Sequence, residues 1–270
     1  MSPPTTAVDR LDTDPEGRVV GVDGCAGGWV AVWTDGDSDA SLQHGLYPSV
    51  DDLVAAHGDA ARLLVDMPIG LASADSRECD RLARKRLGAR GSSVFPAPCR
   101  AVVEYRQQAG EAASYDRANE LQREQLGAGI SRQAWNITDK IAAVDRSLRE
   151  ESLAAHVVES HPELCFAQLN RGYPIAHPKS SETGRAARFA VLDTVLDDWQ
   201  LVYKSACEEY YRNQVARDDI VDALVLCAAG QQPLTSVPAE PPVDERGLPM
   251  RIVAPDIEPA WSQHVDLAER

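Results

Sequence analysis

No stretch of this 270-residue chain approaches the ~20 consecutive apolar residues of a membrane helix, so no membrane span and no membrane partner are expected. No hydrophobic leader opens it either: Met1 to Glu16 is polar and acidic, unlike a secretory signal. No Cys-x-x-Cys pair occurs among Cys25, Cys79, Cys99, Cys165, Cys207 and Cys227, which speaks against a thiolate zinc site, and the chain is too long for a disulfide scaffold. Reduced thiols in a cytoplasmic protein are the simple expectation. Lysine is scarce, at four of 27 basic residues, and aromatics make up only 6%. With 42 acids the formal net charge is −15, which argues against a broad phosphate-binding surface. The same acidity suits a solvated halophilic surface, where charge reports the medium and not the ligand.

What is present is an α/β pattern. Residues 1–16 read as a disordered arm, 17–256 as one domain and 257–270 as a tail. Arg18 to Asp23 and Trp29 to Trp33 are strand-like runs around the turn Gly24-Cys-Ala-Gly-Gly28, which predicts a hairpin. Ser41 to Tyr47 adds a weaker strand and Val50 to His57 a short helix. Arg62-Leu-Leu-Val-Asp66 is a further strand stopped by Pro68. Composition predicts helices over Asp75 to Leu87, Tyr115 to Leu126 and Gln133 to Glu151, so about 75–151 forms a largely helical insertion. Leu153 to Glu159 is a strand, and Ser160-His161-Pro162 turns the chain. Phe189, Leu192, Leu196 and Trp199 recur at helical spacing within Arg185 to Trp199, and Asp218 to Ala229 is the last helix. The Pro-rich stretch from Gln231 is expected to wrap the surface, with Leu248 to Ala254 as an edge strand. This order favours a mixed sheet flanked by helices.

Three of these strands end on an acid: Asp23, Asp66 and Glu159. Ligands in open α/β sheets sit beyond the carboxyl ends of strands, and parallel neighbours ~4.8 Å apart would bring such acids to one edge. Asp219 and Asp222, at i and i+3 of the last helix, share a face. Crowded carboxylates repel unless a cation lies among them, and the hard oxygen ligands suit Mg²⁺ or Mn²⁺. Two such ions can stabilise the attacking and leaving oxygens of a phosphoryl displacement. Each acid also has a plainer reading: Asp23-Gly24 as turn chemistry, Asp66 as a cap, Glu159 as a strand exit, Asp218 and Asp219 as helix-start residues. Asp222, a turn inside an apolar helix, resists that reading.

The segments Gly21-Val-Asp23-Gly, Val65-Asp66-Met-Pro-Ile-Gly-Leu71, Val94-Phe95-Pro-Ala-Pro98, Val158-Glu159-Ser-His161-Pro-Glu163 and Asp218-Asp219-Ile-Val-Asp222-Ala together resemble domain-of-unknown-function family 429. The resemblance covers most of Arg18 to Gly230 and implies a ribonuclease H-like fold and a nuclease activity. In the wider superfamily, which includes Holliday-junction resolvases, acids on the first strand, the fourth strand and the last helix bind the metals. That implies metal-binding and catalytic roles for Asp23, Asp66, Asp219 and Asp222. Glu159 lies outside this superfamily set but suits the narrower family, and is carried as a further candidate.

Between Arg77 and Arg106 eight basic residues stand against three acids, a local excess in an acidic chain. Arg77, Arg81, Arg84 and Lys85 share a helical face that could hold phosphates, followed by Arg90 in a donor-rich loop; a solvated, ion-paired face is the plainer alternative. His161, beside Glu159, is a candidate proton relay or orienting group. The tryptophans Trp29, Trp33, Trp135 and Trp199 read as core. Three functions compete: a metal-dependent nuclease or phosphodiesterase, a non-catalytic regulatory or nucleic-acid-binding member of the fold, and a sugar-kinase/actin-like protein cradling a nucleotide on the Gly24–Gly28 hairpin. The first leads.

Overall fold

The computed structural model describes residues 11, 13, 15–36, 41–150 and 156–257; the expected arm and tail fall largely outside these residues. A five-stranded mixed sheet forms the centre, in the order β3-β2-β1-β4-β5. Its strands are β1 (Val19–Cys25), β2 (Gly28–Thr34), β3 (Gln43–Tyr47), β4 (Arg62–Val65) and β5 (Val157–Glu159). β1 pairs antiparallel with β2 and parallel with β4, and β4 runs parallel to β5. This is a ribonuclease H-like α/β arrangement. No helix among the described residues is long and apolar enough to cross a membrane.

Helices cover both faces. On one side, α1 (Val50–His57), α3 (Arg100–Ala109) and α6 (Thr138–Glu150) lie over Val20, Val22, Leu63 and Val65. The intervening α2 (Glu78–Leu87) and α4 (Tyr115–Leu126) match two of the expected helices closely. The expected Gln133–Glu151 helix instead opens with a separate turn, α5 (Arg132–Asn136), and restarts at Thr138 after Ile137 leaves helical geometry. On the other side, α7 (Pro162–Leu169), α8 (Glu182–Val195), α9 (Trp199–Glu209) and α10 (Arg217–Gly230) pack with Leu64, Val158 and Val30. The expected Arg185–Trp199 helix stops at Val195, because Leu196 turns extended and Asp198 takes a left-handed φ of 55°. Trp199 therefore starts α9, where it packs against Phe189.

The Pro-rich region does more than wrap the surface. β6 (Leu234–Val237) pairs with β7 (Ile252–Pro255) in a two-stranded ribbon, and Leu234, Val237, Ile252, Val253 and Ala254 are buried. Ser160 bridges to Val253, joining the ribbon to the strand end at Glu159.

A close backbone contact joins β1 and α10. A Cβ added to Gly21 would stand 2.2 Å from the Ala223 carbonyl and 2.2 Å from the Cys227 amide. One added to Gly230 would meet Val19 Cγ1 at 2.6 Å. Two strand residues advance ~6.6 Å and one helical turn ~5.4 Å, so the elements keep step as they run against each other. Val19 meets Gly230, Gly21 meets the turn at 223–227, and Asp23 faces the turn at 219–222. Overpacking of this kind costs ~1–3 kcal/mol when the contact atoms can yield, and here they are backbone. Gly21→Ala should therefore lower unfolding free energy by at least ~3 kcal/mol; a urea midpoint unchanged from wild type would contradict this account of the packing.

Candidate active site

The register sets the acids. Val22 is level with Val65, so Asp23 and Asp66 stand side by side one residue further on, and the Asp66 amide donates to the Val22 carbonyl at 3.0 Å. Side chains alternate along a strand, which sends Asp23 and Asp66 to the α10 face. Asp222 and Asp219 meet them there from the first turns of α10. All four line one cavity of about 320 Å³, together with His161, Glu163 and Lys179.

Glu159 goes the other way. It is level with Val65, one residue behind Asp66, and so projects from the opposite face of the sheet. There it is buried, accepting from the Ile69 amide at 2.7 Å and from the Arg77 guanidinium. Arg77 also lies 3.7 Å from Asp80, whose carboxylate accepts from the Ala97 amide at 2.9 Å. The expected convergence of Glu159 with the strand acids is thus corrected: it borders the cavity but is tied into a separate buried cluster.

The expected phosphate-holding face is corrected too. Arg77 precedes α2 and is buried against Glu159; Arg81 is exposed and pairs with Glu78; Arg84 donates to the Val94 carbonyl; Lys85 faces solvent. Of the five basic candidates only Arg90 lines the cavity, and its Nε is buried without a hydrogen-bond partner. The helix turns its basic side outward because Cys79, Ala83 and Leu87 occupy its inward side.

Burial, followed by repulsion from Asp66, Asp222 and Asp219, pushes the Asp23 carboxyl well above its ordinary range. Burial likewise raises Asp66, which His161 and Lys179 pull back, and raises Asp219. Asp222 is pushed up to about 7 by burial, against the lowering pull of Lys179. These four carboxylates cost free energy as anions and gain from any cation among them.

Their oxygens are not equally committed. Asp23 Oδ1 accepts from the Gly24 amide at 2.7 Å, and Asp219 Oδ2 accepts from the Ala216 amide at 2.8 Å, closing the N-terminus of α10. Asp222 Oδ2 accepts from Lys179 Nζ at 2.7 Å, while Asp222 Oδ1 is buried with no partner. Among the described residues no three acids, histidines or cysteines form a ready-made metal cage. The donor set nevertheless fits a hard divalent ion, since it consists of carboxylate oxygens, one of them orphaned at 3% exposure.

His161 caps α7 at the cavity edge, its Nε2 3.4 Å from the Ser93 carbonyl and its Nδ1 buried without a partner. Sequence reasoning passed over Lys179 and Glu163. Glu163 lies inside one of the quoted segments, but past the turn at Ser160-His161-Pro162 the sequence reading assigns no element to α7, the helix that orients it. Lys179 sits in the loop before α8, where neither periodicity nor spacing marks it. The Gly24–Gly28 hairpin offers little as a phosphate cradle: the Gly24 amide serves Asp23, the Gly27 amide serves the Gln214 carbonyl, and Lys140 donates to Gly28 at 2.6 Å.

The family described as "Protein of unknown function (DUF429)" matches residues 21–242 of the chain. No curated protein matches it, and no solved structure does.

Because Arg77 neutralises Glu159 inside the protein, its loss should act on stability. Removing one partner of a buried pair costs ~3–5 kcal/mol, so Arg77→Met should lower the unfolding free energy by that order. The measurement is chemical denaturation; a variant as stable as wild type would return Arg77 to the list of ligand-binding candidates.

Proposed function

The chain belongs to the DUF429 family, and from that premise we propose that it is a divalent-metal-dependent phosphodiesterase acting on nucleic acid. The observation that carries this reading is the gathering of Asp23, Asp66, Asp219 and Asp222 from two strand ends and a helix into one cavity, with Asp222 Oδ1 buried and unpaired. Asp23, Asp66 and Asp222 would hold Mg²⁺ or Mn²⁺. Bound there, the ion supplies a Lewis acid for a phosphoryl oxygen and a water of lowered pKa.

The chain's own groups divide the remaining work. Arg90, which lines the cavity, binds a phosphate oxygen and orients the substrate, as a guanidinium suits. His161 lines the same cavity and is a station for holding or passing a proton. Asp219 closes the start of α10 and so fixes the turn that carries Asp222. Six unpaired cysteines, five of them buried, support a reducing compartment, and we place the protein in the cytoplasm.

One observation favours a second reading. Lys179 already supplies a cation to Asp222, as a non-catalytic member of the fold could do to keep the acids together. A substrate panel separates the two: single- and double-stranded DNA, RNA, a branched junction and a chromogenic phosphodiester, each with Mg²⁺, Mn²⁺ or chelator. Hydrolysis should require metal. Since residues that merely support a metal ligand contribute 10–100-fold, Asp66→Asn should lose at least ~100-fold with its melting temperature retained. No hydrolysis of any substrate, or equal hydrolysis in Asp66→Asn, would remove the catalytic reading.

A further inference from the structure

We propose that the site is built for a single divalent ion and that Lys179 permanently fills the position of a second. This rests on the metal reading above and adds a claim about this chain's own residues. The carboxylates split into two groups. Asp23, Asp66 and Asp222 line the cavity, and Lys179 acts on Asp23 and Asp66 through its charge, with no hydrogen bond to either; Asp222 Oδ1 is buried without a partner. On the other flank, Lys179 Nζ lies 2.7 Å from Asp222 Oδ2 and 3.2 Å from Asp218 Oδ2, bridging the acids at the start of α10. A second ion placed on this flank would have to displace the ammonium from those two oxygens.

The placement of Lys179 is structural, although its side chain is partly exposed and lysine is otherwise free to wander. The Pro178 carbonyl accepts from the Ser181 hydroxyl at 2.8 Å and from the Ser181 amide at 3.0 Å. Gly184, in the first turn of α8, comes so close that an added Cβ would lie 2.0 Å from that carbonyl. Arg188, 1% exposed, donates to the His177 carbonyl at 3.3 Å while pairing with buried Glu163. The backbone on the N-terminal side of Lys179 is therefore held by a buried ion pair, a side-chain cap and a close helix approach. The same contacts cap the start of α8, and they fix the backbone from which Lys179 reaches Asp222. It keeps one positive charge beside Asp222 where a second metal would bring two.

The test is the stoichiometry of Mn²⁺ binding to the full chain, by titration calorimetry and by electron paramagnetic resonance of the free ion, without reference to activity. Wild type should bind one ion. Lys179→Gln should bind two, the second more weakly. Lys179→Arg, which keeps the charge, should bind one. Circular dichroism should report all three as folded, and the arginine variant controls for any loss of structure in the glutamine one. Two ions in wild type, one in Lys179→Gln, or two in Lys179→Arg would overturn the assignment and leave the metal reading standing. No ion in wild type but one in Lys179→Gln would overturn it as well, making the lysine a blocker of the whole site. No binding in any of them would take down the metal reading itself.

Discussion

The site depends on how closely a helix can approach a strand. With hydrogen as the side chain at position 21, the backbone of α10 lies directly on β1, and the turn of α10 one step toward its N-terminus falls opposite Asp23. Any larger residue would lift the helix and carry Asp222 away from the strand acids. The carboxylate cluster is thus a consequence of backbone packing, and its electrostatic cost is met by the burial of every residue from Ile220 to Gly230.

Alternation along the sheet divides the acids by function. Asp23 and Asp66 are one residue beyond a level pair of valines, and Glu159 is level with one of that pair. That offset of a single position sends two acids to α10 and the third to Arg77. Side by side, then, the strand ends support a cavity open to a ligand and, at its border, a buried ion cluster that braces the segment from Ile69 to Ala97. The two face opposite sides of one sheet edge and share no hydrogen bond.

Much of this is legible in the amino-acid sequence. Short apolar runs ending in acids predict β1, β4 and β5, and the expected bounds of α1, α4 and α10 agree with the structure within a residue or two. Direction is harder. Which way Glu159 points depends on its register with β4, and register between strands separated by a ninety-residue insertion leaves no local trace. The Arg-rich helix misleads for a related reason: Arg77 lies just outside the helix, so its helical phase has no meaning. α7 and α9 escape a reading by pattern because α7 is buried nearly all round and α9 begins within the apolar series Phe189, Leu192, Leu196 and Trp199. Lys179 acts through a loop, and loops place residues by contacts that only the folded chain provides.

The ribbon of β6 and β7 bears on where this protein ends as a folding unit. Asp244 accepts from the Leu71 and Leu248 amides and pairs with buried Arg100, which also pairs with Asp145 in α6. Arg246 reaches the same Asp145 and Glu104. These contacts clamp the helical insertion onto the chain's closing segment, just past the residue where family similarity stops. Shared ancestry and mechanical integrity therefore have different borders here: a fragment trimmed to the first would lose Asp244 and Arg246 and leave buried Arg100 with Asp145 as its remaining carboxylate partner.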